Sequence, residues 1–288
     1  MTCAACGSAR LEPGLRVAGE AHDFAPTTAQ FGTALGDFLR CLDCGHLQVD
    51  PMPAVAELED SYESAESGMY EAEEEGQRAT ARGALRLLGR PGRLLELGCW
   101  VGFLASEAMR SGWEVTGVEP SHWAADRARS RGVSVVEAPL LDASLPDAGF
   151  DAVTLGDVIE HLPDPGEALD RVASLLAPGG VVWIATPDAG SRVARVLGPR
   201  WWSVIPTHVH LFTRHSVTRL MQRHGFEVVA MGTSPKTFSV EYYLNRLAGY
   251  WPPLARAAVA AARALGLAGR MWTPDFRDRM YVVARRAR

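Results

Sequence analysis

Two groups of residues can do chemistry by type and spacing. The first is four of the chain's five cysteines. Cys3-Ala-Ala-Cys6 and Cys41-Leu-Asp-Cys44 are CxxC knuckles, each followed by a glycine (Gly7, Gly45) that lets backbone amides turn toward sulfur. Two such pairs supply four soft thiolates, the donor set of tetrahedral zinc, and a site closed by four thiolates has no position for water, so its role is structural. The gap between Cys6 and Cys41 is longer than ordinary ribbon spacing, so an inserted hairpin must bring the pairs together. His22 and His46 are spare nitrogen ligands. Two unrelated thiol pairs, or a disulfide, are the other readings, the latter disfavoured in a reducing compartment.

The second group lies at the ends of apolar runs. Residues 94–103 read Leu-Leu-Glu-Leu-Gly-Cys-Trp-Val-Gly-Phe: an apolar stretch, an acid at Glu96, then a turn containing Gly98 and Gly102. Glycine removes Cβ where the chain turns sharply and lets a ligand approach the backbone. About twenty residues on, Val-Thr-Gly-Val-Glu-Pro ends a second run at Glu119 and Pro120, the spacing of a ribose-binding carboxylate at the tip of the next strand. A nucleoside-containing cofactor is the first expectation.

Elements able to hold these residues alternate along the chain. Strands are expected at 93–97, 113–118, 133–137, 150–155, 181–186, 226–231 and 280–284. Helices are expected at 103–110, 122–131, 165–176 and 216–224. Strands alternating with helices imply a doubly wound, Rossmann-like α/β sheet, here of seven strands with the last antiparallel. Gly98, Glu119 and Asp157 each follow an expected strand and should face the crevice beyond the strand ends. The expected organisation is a zinc-binding module over 1–70, a linker helix over 71–90, and the sheet domain over 91–288, with a helical, aromatic insertion at about 232–278.

The chain has 288 residues, 47% hydrophobic and 22% charged, ordinary for a globular protein. The first 75 residues carry fifteen acidic side chains against three basic ones (Arg10, Arg16, Arg40), within a formal net charge of −5. An acidic front half repels a phosphate backbone and argues against a nucleic-acid partner. Lys236 is the sole lysine. No apolar run is long enough to span a membrane, and the first residues do not read as a signal peptide, so a cytoplasmic location is expected.

With these residues in place, the sequence resembles the class I S-adenosylmethionine-dependent methyltransferases, and more narrowly the bacterial small-molecule methyltransferases with an N-terminal zinc-binding segment. The resemblance covers nearly the whole chain through 95–102, Gly-Val-Glu-Pro at 117–120, the run Phe150 to Leu162, Leu-Ala-Pro-Gly-Gly at 176–180, and His-Val-His-Leu-Phe-Thr at 208–213. It implies S-adenosylmethionine as cofactor, with Glu119 on the ribose hydroxyls. Glu96 would then anchor the first loop or the cofactor's ammonium, the backbone at Gly98 and Cys99 would lie along the methionine part, Pro139 and Leu140 near the adenine, and Asp157 would face cofactor and acceptor together, with Gly102 and Pro120 also on the cofactor side. The family usually has glycine where this chain has Trp100; the indole either crowds the methionine end or packs the site shut.

Methyl transfer needs in-line alignment, and an oxygen or carbon acceptor must also lose a proton. His161 and His208 are the candidate bases, since imidazole titrates near neutrality. Glu241, Tyr242 and Tyr243 are outside candidates. The aromatics of the insertion (Phe238, Tyr242, Tyr243, Tyr250, Trp251), with Trp201 and Trp202, suggest an apolar pocket for a small-molecule acceptor such as a sugar or polyketide, or else a satellite core or homodimer contact. Arg256, Arg263 and Arg270 mark the wet face of a helix. An RNA methyltransferase and a zinc-stabilised, non-methylating relative are the alternatives.

Overall fold

The computed structural model describes residues 1–17, 31–55, 58 and 71–287, with 19–20 as backbone only. The front cysteines sit on a small sheet. β1 (Leu11–Leu15) pairs antiparallel with β4 (Asp37–Cys41), which pairs with β5 (Leu47–Asp50). A short parallel pair, β2 (Gly19–Glu20) and β3 (Thr33–Ala34), lies within the long connection between β1 and β4. The β1–β4 pairing is the hairpin that the Cys6–Cys41 gap required.

Helix α1 (Glu74–Leu85) lies within the span 71–90 expected for a linker helix, and Glu74 and Glu75 in its first turn favour the positive end of the helix dipole. The main sheet follows: β6 (Arg93–Leu97), α2 (Phe103–Arg110), β7 (Glu114–Val118), α3 (His122–Ser130), β8 (Ser134–Val136), β9 (Phe150–Gly156), α4 (Pro165–Leu175) and β10 (Leu176–Pro187). After these come α5 (Arg192–Leu197), β11 (His210–Leu211), α6 (Arg214–Arg223) and β12 (Phe226–Thr233). The insertion supplies β13 (Phe238–Ser239), α7 (Val240–Arg246), α8 (Pro252–Ala264) and β14 (Met271–Trp272), and β15 (Arg279–Arg286) closes the chain. β10 begins before the Pro-Gly-Gly turn rather than after it, with an irregularity between Leu176 and Val181 absorbing the turn.

Seven strands lie in the order β12-β15-β10-β9-β6-β7-β8, with β15 antiparallel to both neighbours. This is the Rossmann-like sheet expected from the alternation. Leu94, Leu95 and Leu97 of β6 are fully buried, since helices cover both faces. Each contributes about 1.5–3 kcal/mol by leaving water. Central β6 pairs with β7 on one side and β9 on the other, so the strand order reverses there and a crevice opens beyond their carboxyl ends.

The front sheet is docked on the main domain. β11, from the segment after β10, adds to β5 as a fourth strand. Cys3, Ala5, Cys41 and Cys44 share one buried apolar cluster with Leu95, Leu97, Leu155, Phe212 and Met221. Thr213 caps α6 in a reciprocal box with Ser216, and its hydroxyl also donates to the Cys44 carbonyl at 3.1 Å. Among the described residues no helix is long and apolar enough to cross a membrane.

Candidate active site

One cavity of about 870 Å³ opens beyond the strand ends. At its first end the turn after β6 does the positioning. Gly98 is left-handed (φ 68°), and a Cβ there would meet Val158 Cγ2 at 2.7 Å, so both conformation and space demand glycine. Trp100 is left-handed too (φ 47°), the conformation glycine takes without cost, and its backbone N–H donates to Glu119 Oε2 at 2.8 Å. The indole leans on Trp123, with ring centroids 5.6 Å apart, yet still forms part of the cavity wall, its Nε1 without a hydrogen-bond partner among the described residues. It therefore packs the loop without filling the site.

Glu119 Oε1 accepts from the Ser121 amide at 3.0 Å, so each carboxylate oxygen holds one backbone donor and keeps acceptor capacity. Burial raises its pKa to about 7, with the Ser121 and Trp100 amides pulling the other way. Glu96 is raised further, to about 8, by burial and then by the charge of Glu119, and its Oε2 is a buried acceptor without a hydrogen-bond partner among the described residues. Cys99, Pro120 and Leu140 line the same end. The Cys99 thiol packs where a Cβ on Gly117 would lie, and burial pushes it far above the thiolate range, so it is a packing residue at the wall. Gly102 does not line the cavity. It caps α2 at φ 81°, where a Cβ would come within 2.9 Å of Ala128 Cβ; its glycine serves the α2–α3 contact.

The second end is built from segments far apart in sequence. Asp157, at a left-handed backbone position (φ 59°) after β9, pairs with Lys236 Nζ at 2.5 Å and with Arg279. Burial alone would raise this carboxyl, but the two cations overcome it and hold it well below the usual carboxylate range. Behind it the turn 159–161 carries Glu160 and His161. His161 Nδ1–H donates to the Thr207 carbonyl at 2.8 Å, and His208 Nδ1–H to the Ser203 carbonyl at 2.8 Å. The two rings meet edge to face at 4.6 Å. Burial lowers both, His161 to about 4, so both imidazoles are neutral at physiological pH. Glu160 is fully buried, its carboxylate oxygens have no hydrogen-bond partner among the described residues, and burial together with the Asp157 charge raises it to about 8.

Aromatics close this end. Phe238 stacks on Tyr242 (4.0 Å), Tyr243 stands edge-on to Tyr242 (5.7 Å), and Trp202 meets Phe276 (5.7 Å). All five line the cavity. Trp201 and Trp251 do not. Trp201 is buried with its Nε1 donating to Asp278 at 3.2 Å, while Trp251 is 63% exposed. Glu241 faces away from the site and pairs with Arg263. Arg256, Arg263 and Arg270 are all exposed, but only Arg256 and Arg263 share the wet face of α8; Arg270 lies beyond its end.

The cysteine knuckles converge. Cys3 and Cys44 sulfurs lie 3.6 Å apart, Cys6 and Cys41 sulfurs 3.5 Å, and all four fall within 4.8 Å of one another. Four sulfurs about 2.3 Å from a central ion would be separated by about 3.8 Å. The knuckles match: the Gly7 amide donates to the Cys3 carbonyl (2.8 Å) and the Gly45 amide to the Cys41 carbonyl (2.9 Å). The Cys44 thiol holds Cys3 down to about 5, so a thiolate forms readily. His46 is not a ligand. Its Nε2–H reaches His210 Nδ1 at 3.0 Å, and His210 Nε2–H donates to the Pro163 carbonyl at 3.3 Å. His22 lies outside the described residues.

Sequence reasoning singled out Glu96, Gly98, Cys99, Glu119, Pro120, Leu140, Asp157, His161 and His208, and the fold brings all nine to one cavity. It missed Arg279 and gave Lys236 no role. Arg279 carried a signal, an arginine heading an otherwise apolar last strand.

A family model described as a methyltransferase domain matches residues 71–231. The ubiquinone biosynthesis O-methyltransferase of Caulobacter sp. (strain K31) is 40% identical over 101 residues, which is 33% of this chain and 40% of that protein. Its counterpart from Alkalilimnicola ehrlichii is 39% identical over 128 residues, 41% of this chain and 52% of that protein. The matched segments thus span about half or less of these curated relatives. Among solved structures, the 1,6-didemethyltoxoflavin-N1-methyltransferase of Burkholderia thailandensis, with bound 1,6-didemethyltoxoflavin and S-adenosylhomocysteine, has the same fold. Its TM-score is 0.54 at 20% identity, over 86% of this chain and 98% of that one. The sheet order, the glycine turn facing a strand-end carboxylate, and a family match over more than half the chain lead to one conclusion: the protein belongs to the class I S-adenosylmethionine-dependent methyltransferases.

Proposed function

We propose that this protein transfers a methyl group from S-adenosylmethionine to an oxygen of a small, largely apolar acceptor. The observation that carries this reading is one continuous cavity with two unlike ends. One end is a backbone turn with two buried carboxylates, and the other is an aromatic chamber holding two neutral imidazoles. The residues present fit the cofactor: Glu119 retains acceptor capacity for ribose hydroxyls, Glu96 Oε2 awaits a donor such as an ammonium, and Gly98 leaves room along the backbone. Bound there, the cofactor supplies an already activated methyl group.

The chain's own work is alignment, exclusion of water and proton removal. Trp202, Phe238, Tyr242, Tyr243 and Phe276 give an acceptor a dry face. With Nδ1–H of His208 committed to the Ser203 carbonyl, the neutral tautomer turns its Nε2 into a lone-pair site, able to take a proton. Of the two, His208 is assigned as base and His161 as its edge-on neighbour. Asp157, saturated by Lys236 and Arg279, orders the floor between the two ends. The O-methyltransferase names of the similar proteins support oxygen as the atom methylated. Cys3, Cys6, Cys41 and Cys44 fit zinc by donor type and spacing, and would hold it as a structural ion tying the front sheet to α6.

The test is calorimetric titration with S-adenosylmethionine, then transfer of a labelled methyl group to a panel of phenols, catechols and hydroxylated polyketides. Cofactor binding plus O-methyl product is the expected result. Binding without product on any hydroxyl acceptor would instead favour the non-methylating relative, and no binding by zinc-replete protein would remove the reading altogether.

A further inference from the structure

Outside the cavity already described, a second depression of about 400 Å³ lies where three segments meet: the turn from β10 into α5, the start of α6 and the loop before β15. Its basic lining is Arg192, Arg195, Arg214, His215 and Arg277, and Asp188 is its one carboxylate among the described residues. Four guanidinium groups crowd against a single acid, and like charges held together cost stability unless an anion offsets them. Exposed arginines elsewhere meet carboxylates: Arg10 meets Asp43, Arg129 meets Glu137 and Arg263 meets Glu241. Here the side chains of Arg192 and Arg277 make no hydrogen bond or ion pair among the described residues.

Two of the arginines are held ready for a ligand. Asp188 is buried; its Oδ1 accepts from the Gly190 amide at 2.9 Å and its Oδ2 from Arg214 Nε at 3.0 Å. Arg195 Nε donates to the Ser191 carbonyl at 3.4 Å. In both, the inner nitrogen is anchored and the two terminal nitrogens remain as donors, the planar fork that matches phosphate oxygens. Arg277 sits at a left-handed backbone position (φ 55°), so the loop places a cation where the backbone alone favours glycine. We propose that this depression binds a phosphate or diphosphate group.

The depression borders the acceptor end of the cavity. Asp275, Phe276, Asp278 and Arg279 line the cavity, while Arg277 between them lines the depression. The Asp188 amide donates to the Asp278 carbonyl at 2.8 Å and joins the two walls. Two sources offer the same chemistry: an ester carried at the remote end of an acceptor whose hydroxyl enters the cavity, and free inorganic phosphate. The first source rests on the methyl-transfer reading; the binding itself does not.

The probes are inorganic phosphate, pyrophosphate and phenyl phosphate, titrated by calorimetry into full-length, zinc-loaded protein at an ionic strength held constant with potassium chloride. The expected result is one saturable site per chain, tighter for pyrophosphate than for phosphate. Arg277→Gly and Arg214→Lys should each weaken it about ten- to a hundredfold, the effect of losing a hydrogen bond to a charged group. Arg214→Lys keeps the charge and removes the fork. Arg277→Gly suits the left-handed position, so its melting temperature without ligand should hold or rise, which separates lost binding from lost folding. Arg256→Ala, on the exposed face of α8, is the control and should bind as the wild type does. Phenyl phosphate binding as tightly as inorganic phosphate supports the site and assigns the group to an ester; discrimination against it supports the site and assigns the free anion. No saturable heat in wild-type protein would overturn the proposal, as would wild-type affinity in both Arg277→Gly and Arg214→Lys, or an equal loss in Arg256→Ala. Neither S-adenosylmethionine nor an acceptor enters the measurement, so its failure leaves methyl transfer standing, and failure of methyl transfer leaves the anion result readable.

Discussion

The two ends of the cavity are made by different means. The cofactor end is a local construction: the turn after β6 and the tip of β7 supply Gly98, the Trp100 amide and Glu119, and backbone hydrogen bonds hold them together. The acceptor end is assembled from side chains of four distant segments, those of Asp157, His208, Lys236 and Arg279. A backbone site tolerates side-chain change and is shared by many chains. A side-chain site is particular to one chain and depends on each contributor. The difference teaches where recognition of the common cofactor lies and where acceptor choice lies.

That contrast can be broken or sharpened by experiment. The largest expected effect is on the acceptor side alone. His208→Ala should lower kcat by about 10²–10⁴-fold, the usual worth of a general base. S-adenosylmethionine affinity by titration should be unchanged. Equal loss of both would mean that the two ends are not separable and that His208 is a structural residue.

Next, Arg279→Met leaves Asp157 paired only with Lys236. It should cost about 3 kcal/mol in denaturant unfolding, the low end for a broken buried ion pair because one cation remains. A cost near zero would show that the pair is solvated through the cavity mouth.

At the cofactor end, Glu119→Gln keeps the shape but loses the charge. A weakening of about ten- to a hundredfold in S-adenosylmethionine Kd is expected, the loss of hydrogen bonds to a charged acceptor. With Glu119 raised to about 7, the wild-type protein should bind more tightly as pH rises from 6 to 8, and the variant should lose that dependence on Glu119. A wild-type affinity flat over this range would place the ribose contact elsewhere.

The smallest effect concerns stability. His46, His161, His208 and His210 are buried and held neutral, with burial pulling His161 and His210 down to about 4. The unfolded chain, titrating near 6.5, binds protons that the folded one refuses. Stability is therefore full above about pH 6.5 and falls as pH drops toward 4, by at most about 1.4 kcal/mol per unit for each group. His46→Phe should flatten the slope of melting temperature against pH between 6.5 and 5. An unchanged slope would mean that other groups carry the acid sensitivity.

What could be read directly from the chain follows the same division. The alternation of apolar runs with helical spacing gave the seven-stranded sheet, and glycine with a strand-end acid gave the cofactor end, because both are local patterns of period, turn and spacing. Gly102 shows the limit of such reading. It belongs to the same glycine motif, yet its lack of a Cβ serves a helix–helix contact. Trp201 and Trp202 show it again: adjacent indoles, one bonded to Asp278 in the interior and one on the cavity wall.

By itself, then, the sequence determined the order of elements, the turn that meets the cofactor and the four cysteines that match one another, since each depends on residues close together or repeated in kind. Only the tertiary structure decided that β11 completes the front sheet, that Arg279 and Lys236 share Asp157, and that the buried Glu160 carboxylate lies near His161 and His208 with no side-chain hydrogen bond among the described residues. The physical reason is that a strand pairing, an ion pair and a buried polar cluster are set by which surfaces pack together, and packing partners far apart in the chain leave no local pattern.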